Sequence, residues 1–206
     1  MNPNDIRELV GRLSEQAADT IYAWVYTYMP SPDQLNGVLD AVLGPYFEEA
    51  ALLAADWYND AGPVGFHGKP LPGIPAQRLA ATAEWVYAGP QKPEVRAAAA
   101  AGAMVFDAAR NTVRENARIE GVKVARDERA DACGDCALAA TSSGRGTAAD
   151  AVDSVFHHNC DGLLVPVRRG VYEPPEWVTG WGNVIDAARR AGITDRAEIA
   201  KLLEAG

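Results

Sequence analysis

The chain has only three cysteines in 206 residues, and an odd number cannot all pair within one chain. A small disulfide-stapled scaffold is therefore excluded, because such folds depend on several bridges. Positive charge is also scarce: nineteen bases, only four of them lysine, face twenty-eight acids for a net charge of −9. So acidic a protein lacks the positive surface that a general nucleic-acid binder needs to neutralise phosphates. No apolar run approaches the length that spans a bilayer. The N-terminus is acidic and amphipathic, without the continuous apolar stretch of a signal peptide, so the expected place of synthesis and folding is the cytoplasm, where thiols stay reduced. The first 120 residues show no paired-carboxylate, nucleophile-elbow or phosphate-loop signature.

What the chain does have is helical periodicity. Hydrophobic residues make up 48% of the sequence, as in an ordinary globular protein. Ile6, Leu9, Val10, Leu13, Ala17, Ile21, Trp24, Val25 and Tyr28 recur at steps of three and four, the pattern of a long amphipathic helix that stops near Met29-Pro30. Ser31-Pro32 restarts the chain: Ser31 can cap, Pro32 suits the first helical position, and Gln34 completes a capping box. The second helix should reach about Asp60, with a kink or break at Gly44-Pro45, and should pack against the first as an antiparallel hairpin. Residues 61–75 are a Gly/Pro-rich loop that includes a lone His67. A helix at about 76–88 follows, then a long alanine-rich helix from Pro93 to about Ile119, ended by Gly121. Trp24, Trp57 and Trp85 fall on apolar helix faces and are expected in the core.

After Gly121 the texture changes. Val122–Asp127 and Leu163–Val167 read as short strands that flank a Cys/His cluster. Trp177 and Trp181 begin a helical tail, which closes with a helix capped by Thr194 that contains Ile199, Leu202 and Leu203. The expected architecture is mainly α. A helical domain occupies residues 1–120, a small α+β zinc-knuckle region 121–170, and a C-terminal helical tail 171–206.

The cluster carries the chemistry. Cys133-Gly134-Asp135-Cys136 is followed by His157-His158-Asn159-Cys160, a C-x2-C and an H-x2-C that use all three cysteines. Two-residue spacing lets paired side chains of a knuckle converge on one ion, and two such pairs complete a tetrahedron. Cys133, Cys136, His157 and Cys160 are thus the expected ligands of one structural zinc, a closed site that supplies folding free energy. Gly134 would relieve backbone strain in the knuckle. Three alternatives stand beside this: His158 in place of His157, iron in place of zinc, and a metal-free, redox or catalytic use of the thiols. No βαβ pattern of the thioredoxin kind surrounds the C-x2-C. Arg110, Arg114 and Arg118 share one face at i, i+4 and i+8, either as a solvated face or as a surface for a negative partner. Trp177 and Trp181 could grip a partner or pack onto the knuckle. Residues 1–60 carry ten acids against two arginines and would suit a basic patch on a partner.

From Asn111 to Val167 these pieces fall into an order that resembles phage minor head proteins of the MuF-like type. NTVRENAR (111–118) precedes a short extended segment; CGDCALAA (133–140) and a Gly/Ser loop follow; FHHNC (156–160) and a strand ending in V-P-V (165–167) close the series. Members often carry a second cysteine where this chain has Gly162, and a second histidine where it has Asn159. The resemblance implies a structural minor capsid protein without enzymatic activity or a small-molecule substrate, made in the host and present in few copies at the portal vertex of the virion head. Its implied partners are portal, major capsid or scaffold protein, with packaged DNA in some members, and no membrane. The rival functions are a Cys–His enzyme, in head-protein processing or thiol redox, and a zinc-containing regulator that binds nucleic acid.

Overall fold

The computed structural model describes residues 2–60, 62, 65–71, 73–144, 160–168 and 173–204. The fold is mainly α, with seven helices and one two-stranded sheet among these residues. In chain order the elements are α1 (Pro3–Tyr28), α2 (Pro32–Asp60), α3 (Ala76–Tyr87), α4 (Pro93–Glu120), β1 (Lys123–Asp127), α5 (Gly134–Gly144), β2 (Leu163–Val167), α6 (Glu176–Arg190) and α7 (Arg196–Glu204). They form two compact units. Among the described residues, the first comprises everything up to Asn116 together with Cys160 and Asp161; the second comprises the rest.

In the first unit the boundaries follow local chemistry. Asn2 accepts hydrogen bonds from the amides of Asn4 and Asp5 at 2.8 and 3.0 Å, and the Asp5 carboxylate returns one from the Asn2 amide. This reciprocal box satisfies donors that a helix start leaves orphaned. Met29 ends α1 in the left-handed conformation (φ 42°, ψ 59°). The box expected at Ser31 and Gln34 forms: the Ser31 amide donates to Gln34 Oε1 at 2.9 Å, and the Gln34 amide to Ser31 Oγ at 3.3 Å. α1 and α2 pack together across this short turn. α2 continues through Pro45 without a break. α3 buries Leu79, Ala83 and Val86 and packs on α2.

α4 is buried at every position from Ala100 to Arg110. Apart from the paired Asp107 and Arg110 this stretch is apolar or small on every side, as suits a helix inside a bundle, and its small residues permit close approach. A Cβ at Gly102 would stand 2.8 Å from Ser14 Oγ on α1. The Gly/Pro loop is tied down by side chains aimed at its backbone. Asn59 bonds both the amide (2.6 Å) and the carbonyl (3.2 Å) of Gly68, and Asn116 bonds both of Lys69 (2.9 Å each). Trp57 is buried and Trp24 half-buried, but Trp85 is exposed, contrary to its expected place in the core. The Arg96 guanidinium lies 3.8 Å over its ring, so stacking on a cation takes the place of burial.

In the second unit, Gly121 (φ 75°) turns the chain out of α4, and the Val122 amide closes back on the Ala117 carbonyl at 2.9 Å. β1 and β2 pair antiparallel in the register Lys123↔Val167 to Asp127↔Leu163. The core joins Ala137, Leu138 and Ala140 of α5 to Val178, Trp181 and Ile185 of α6 and to Ile199 and Leu203 of α7. The knuckle region and the helical tail, separate in the sequence reading, therefore share one core. Two local expectations are corrected here. Asp195, not Thr194, caps α7, its Oδ1 accepting from the Glu198 amide at 2.9 Å. Gly134 is required by packing and not by strain: a Cβ there would lie 2.0 Å from the Ala200 carbonyl oxygen.

Candidate metal centre

The last four residues of β1 are buried, although two of them, Arg126 and Asp127, carry charge, and Glu128 beyond them is buried too. Buried charges persist only with partners. Arg126 is the hub: its Nε donates to Glu128 Oε1, and its Nη2 to Cys136 Sγ at 3.2 Å. The Glu128 carbonyl accepts from the Trp177 indole at 3.0 Å. A Cβ at Gly162 would stand 2.0 Å from Glu128 Oε1, so only glycine leaves room for that carboxylate.

Cys133 and Cys136 bracket the first turn of α5, where the Cys133 carbonyl accepts from the Ala137 amide at 2.9 Å. Cys133 is half-buried, Cys136 is buried, and neither is in a disulfide. The first amides of a helix present positive partial charge, which adds to that of the Arg126 guanidinium beside Cys136. Cys160 is buried too and in no disulfide, and its carbonyl accepts from Arg110 Nη2 at 2.6 Å. Arg110 is itself paired with Asp107 at 2.9 Å and lies 5.2 Å over the Phe106 ring.

One oxygen of Glu128 and the sulfurs of Cys136 and Cys160 lie within 4.8 Å of one another, all three residues buried, and this group could hold a metal ion. Donors around a tetrahedral zinc sit about 3.8 Å apart for sulfur, given bonds near 2.3 Å, a spacing that lies inside that bound. Two thiolates and a carboxylate carry three negative charges; a divalent ion and Arg126 together balance them. Thiolate and carboxylate donors suit zinc best, with iron next.

Of the ligands expected from the sequence, Cys136 and Cys160 are in this group and Cys133 is not. His157, like its rival His158, lies outside the described residues. Arg110 does not belong to a solvated face: it is fully buried, because the Asp107 carboxylate and the Cys160 carbonyl supply its partners. Arg114 is half-buried and bonds Asn111 at 3.0 Å, and Arg118 alone of the three is exposed. Trp181 is buried in the core of the second unit and so is not a gripping residue, whereas Trp177 is exposed and tethered through its indole nitrogen. Sequence reasoning missed Arg126 and Glu128. No spacing signal points to either, since Arg126, Glu128, Cys136 and Gly162 meet only in the fold.

Fold and site together define a mainly helical protein with a buried acid–thiol group suited to a metal ion. The chain belongs to the VG15 protein family, whose profile matches residues 3–183, and is thereby a phage protein. No curated protein and no solved structure matches it. No helix among the described residues is long and apolar enough to cross a membrane.

Proposed function

We propose that this chain is a structural minor head protein of a tailed phage, acting at the portal vertex in head assembly or in DNA packaging and ejection. The observation that carries this reading is the family match across residues 3–183, which takes in the whole series from Asn111 to Val167 that resembles the MuF-like proteins. On this reading the protein is not an enzyme. Its partners are portal, major capsid or scaffold protein, and the exposed Arg118 and Trp177 are available to them. One zinc ion stabilises the C-terminal region, with Cys133, Cys136, His157 and Cys160 as its expected ligands and Glu128 as the alternative donor beside Cys136 and Cys160. When bound, the ion supplies folding free energy. Arg126 holds Glu128 and Cys136 in place and balances charge, and Arg110 positions the Cys160 backbone.

Mass spectrometry of purified virions tests the reading. The protein should appear at low copy number in the head fraction, and particles made without it should fail to assemble or to retain DNA. Normal, infectious particles that lack the protein would overturn the proposal. A thiol-redox enzyme is the second reading, favoured by the placement of Cys133 and Cys136 at the opening of α5. A thiol-exchange activity lost in Cys133→Ser, with head assembly unaffected, would decide for it.

A further inference from the structure

The face of α1 opposite its buried stripe is a continuous exposed seam. Glu8, Arg12, Glu15, Asp19, Tyr22, Tyr26 and Met29 follow one another at alternating steps of four and three, and all are exposed. Such spacing keeps side chains on one line along a helix and is the spacing by which helices pair. The seam has two halves. The first is charged, and its one base, Arg12, is already paired with Glu8 at 3.1 Å. The second is aromatic and apolar. Tyr22 and Tyr26 stack with rings 6.1 Å apart and 7° from parallel, and Tyr26 is 64% exposed and Met29 82%.

An exposed apolar patch with a polar rim marks an interaction surface, and tyrosine and methionine are enriched where interfaces are buried. The charge around this patch is one-sided. From Leu13 to Gly68 the chain carries eight acids and no lysine or arginine. An acidic helix would be repelled there, and so would an anionic lipid surface or nucleic acid.

We infer that this seam docks a basic amphipathic helix of a partner protein. Arginine or lysine on that helix faces Glu15 and Asp19, and its large apolar side chains cover Tyr22, Tyr26 and Met29. A guanidinium can also lie flat on the stacked tyrosine rings. The inference depends neither on the metal group nor on the head-protein reading.

The test uses the full chain and two synthetic helical peptides. One carries arginine in half of its heptad seam and leucine in the other half; its twin carries glutamate for arginine. Calorimetry should show one-to-one binding of the arginine peptide, weakening with added salt, and none of the twin. Tyr26→Ala should weaken binding by roughly tenfold or more. Asp19→Asn should weaken it less and flatten its salt dependence. Equal binding of the twin would overturn the inference, as would binding indifferent to Tyr26→Ala. Self-association of the chain that depends on Tyr26 would overturn it too, by making a second copy the occupant. Should Tyr26→Ala disturb the fold, Met29→Gly serves instead, since glycine accepts the left-handed conformation there and removes the exposed side chain.

Discussion

The two units reach order by different means. The first is long helices around a large apolar core of Leu35, Leu39, Leu43, Phe47, Tyr58 and the alanine face of α4, with the buried Asp107 and Arg110 paired to each other on α4. Burial at about 25 cal/mol per Å² of apolar surface supplies its driving force, and caps set its boundaries. The second is built of short elements. Beside its small apolar core it buries Arg126, Asp127 and Glu128 around a thiol, and Arg168 bonds Glu120 through two nitrogens. Buried ion pairs add little net stability, because desolvation offsets their attraction, yet losing one partner is costly. The first unit should therefore respond to changes in packing, and the second to changes in charge and bound ion.

The largest effect is expected from Arg126→Ala, which strands Glu128 beside a thiol. A loss of about 3–5 kcal/mol should appear as weaker hydrogen-exchange protection in β1 and β2, with α1 and α2 unchanged. Equal loss in both units would break the comparison. Leu43→Ala, at a fully buried position on α2, should cost about 2–5 kcal/mol and lower protection in the first unit alone. Gly134→Ala drives a methyl toward the Ala200 carbonyl and should cost about 1–3 kcal/mol, read as a lower denaturation midpoint and exposure of α7.

The smallest effect belongs to Tyr87. Burial raises its phenol above the ordinary 10.0, and its hydroxyl donates to the Pro30 carbonyl at the α1–α2 turn. A raised folded value means that the folded state holds the proton more tightly than the unfolded chain. The stabilisation is therefore complete below pH 10 and is lost as pH climbs through the folded value. Urea midpoints measured from pH 9 upward should fall more steeply for the native chain than for Tyr87→Phe. Parallel curves would remove Tyr87 from the account.

Much of this was legible in the sequence wherever the cause is local. Met29-Pro30-Ser31-Pro32 marks the hairpin turn, Gly121 marks the end of α4, and the short apolar run Leu163–Val167 marks β2. Each works through backbone geometry within a few residues. Of the kink or break expected at Gly44-Pro45 the break does not occur, since α2 runs unbroken from Pro32 to Asp60. What depends on distant neighbours was not legible. Arg110 has the spacing of a surface residue and is buried because Asp107 and Cys160 meet it. Gly134 carries the reason for its identity on Ala200, sixty-six positions away. The candidate site divides in the same way. Cys136 and Cys160 could be found by spacing, but Glu128 could not, because its link to Gly162 exists only in the fold.

The central claim is that the group Glu128, Cys136 and Cys160 belongs to a zinc site that stabilises the C-terminal region. Metal analysis of the purified full chain, combined with thermal unfolding before and after chelation, tests it most directly. The account predicts close to one zinc per chain, sharply reduced in Cys136→Ser, and a lower midpoint for the second unit once the ion is removed. A chain free of metal, with a midpoint indifferent to both chelator and added zinc, would contradict it.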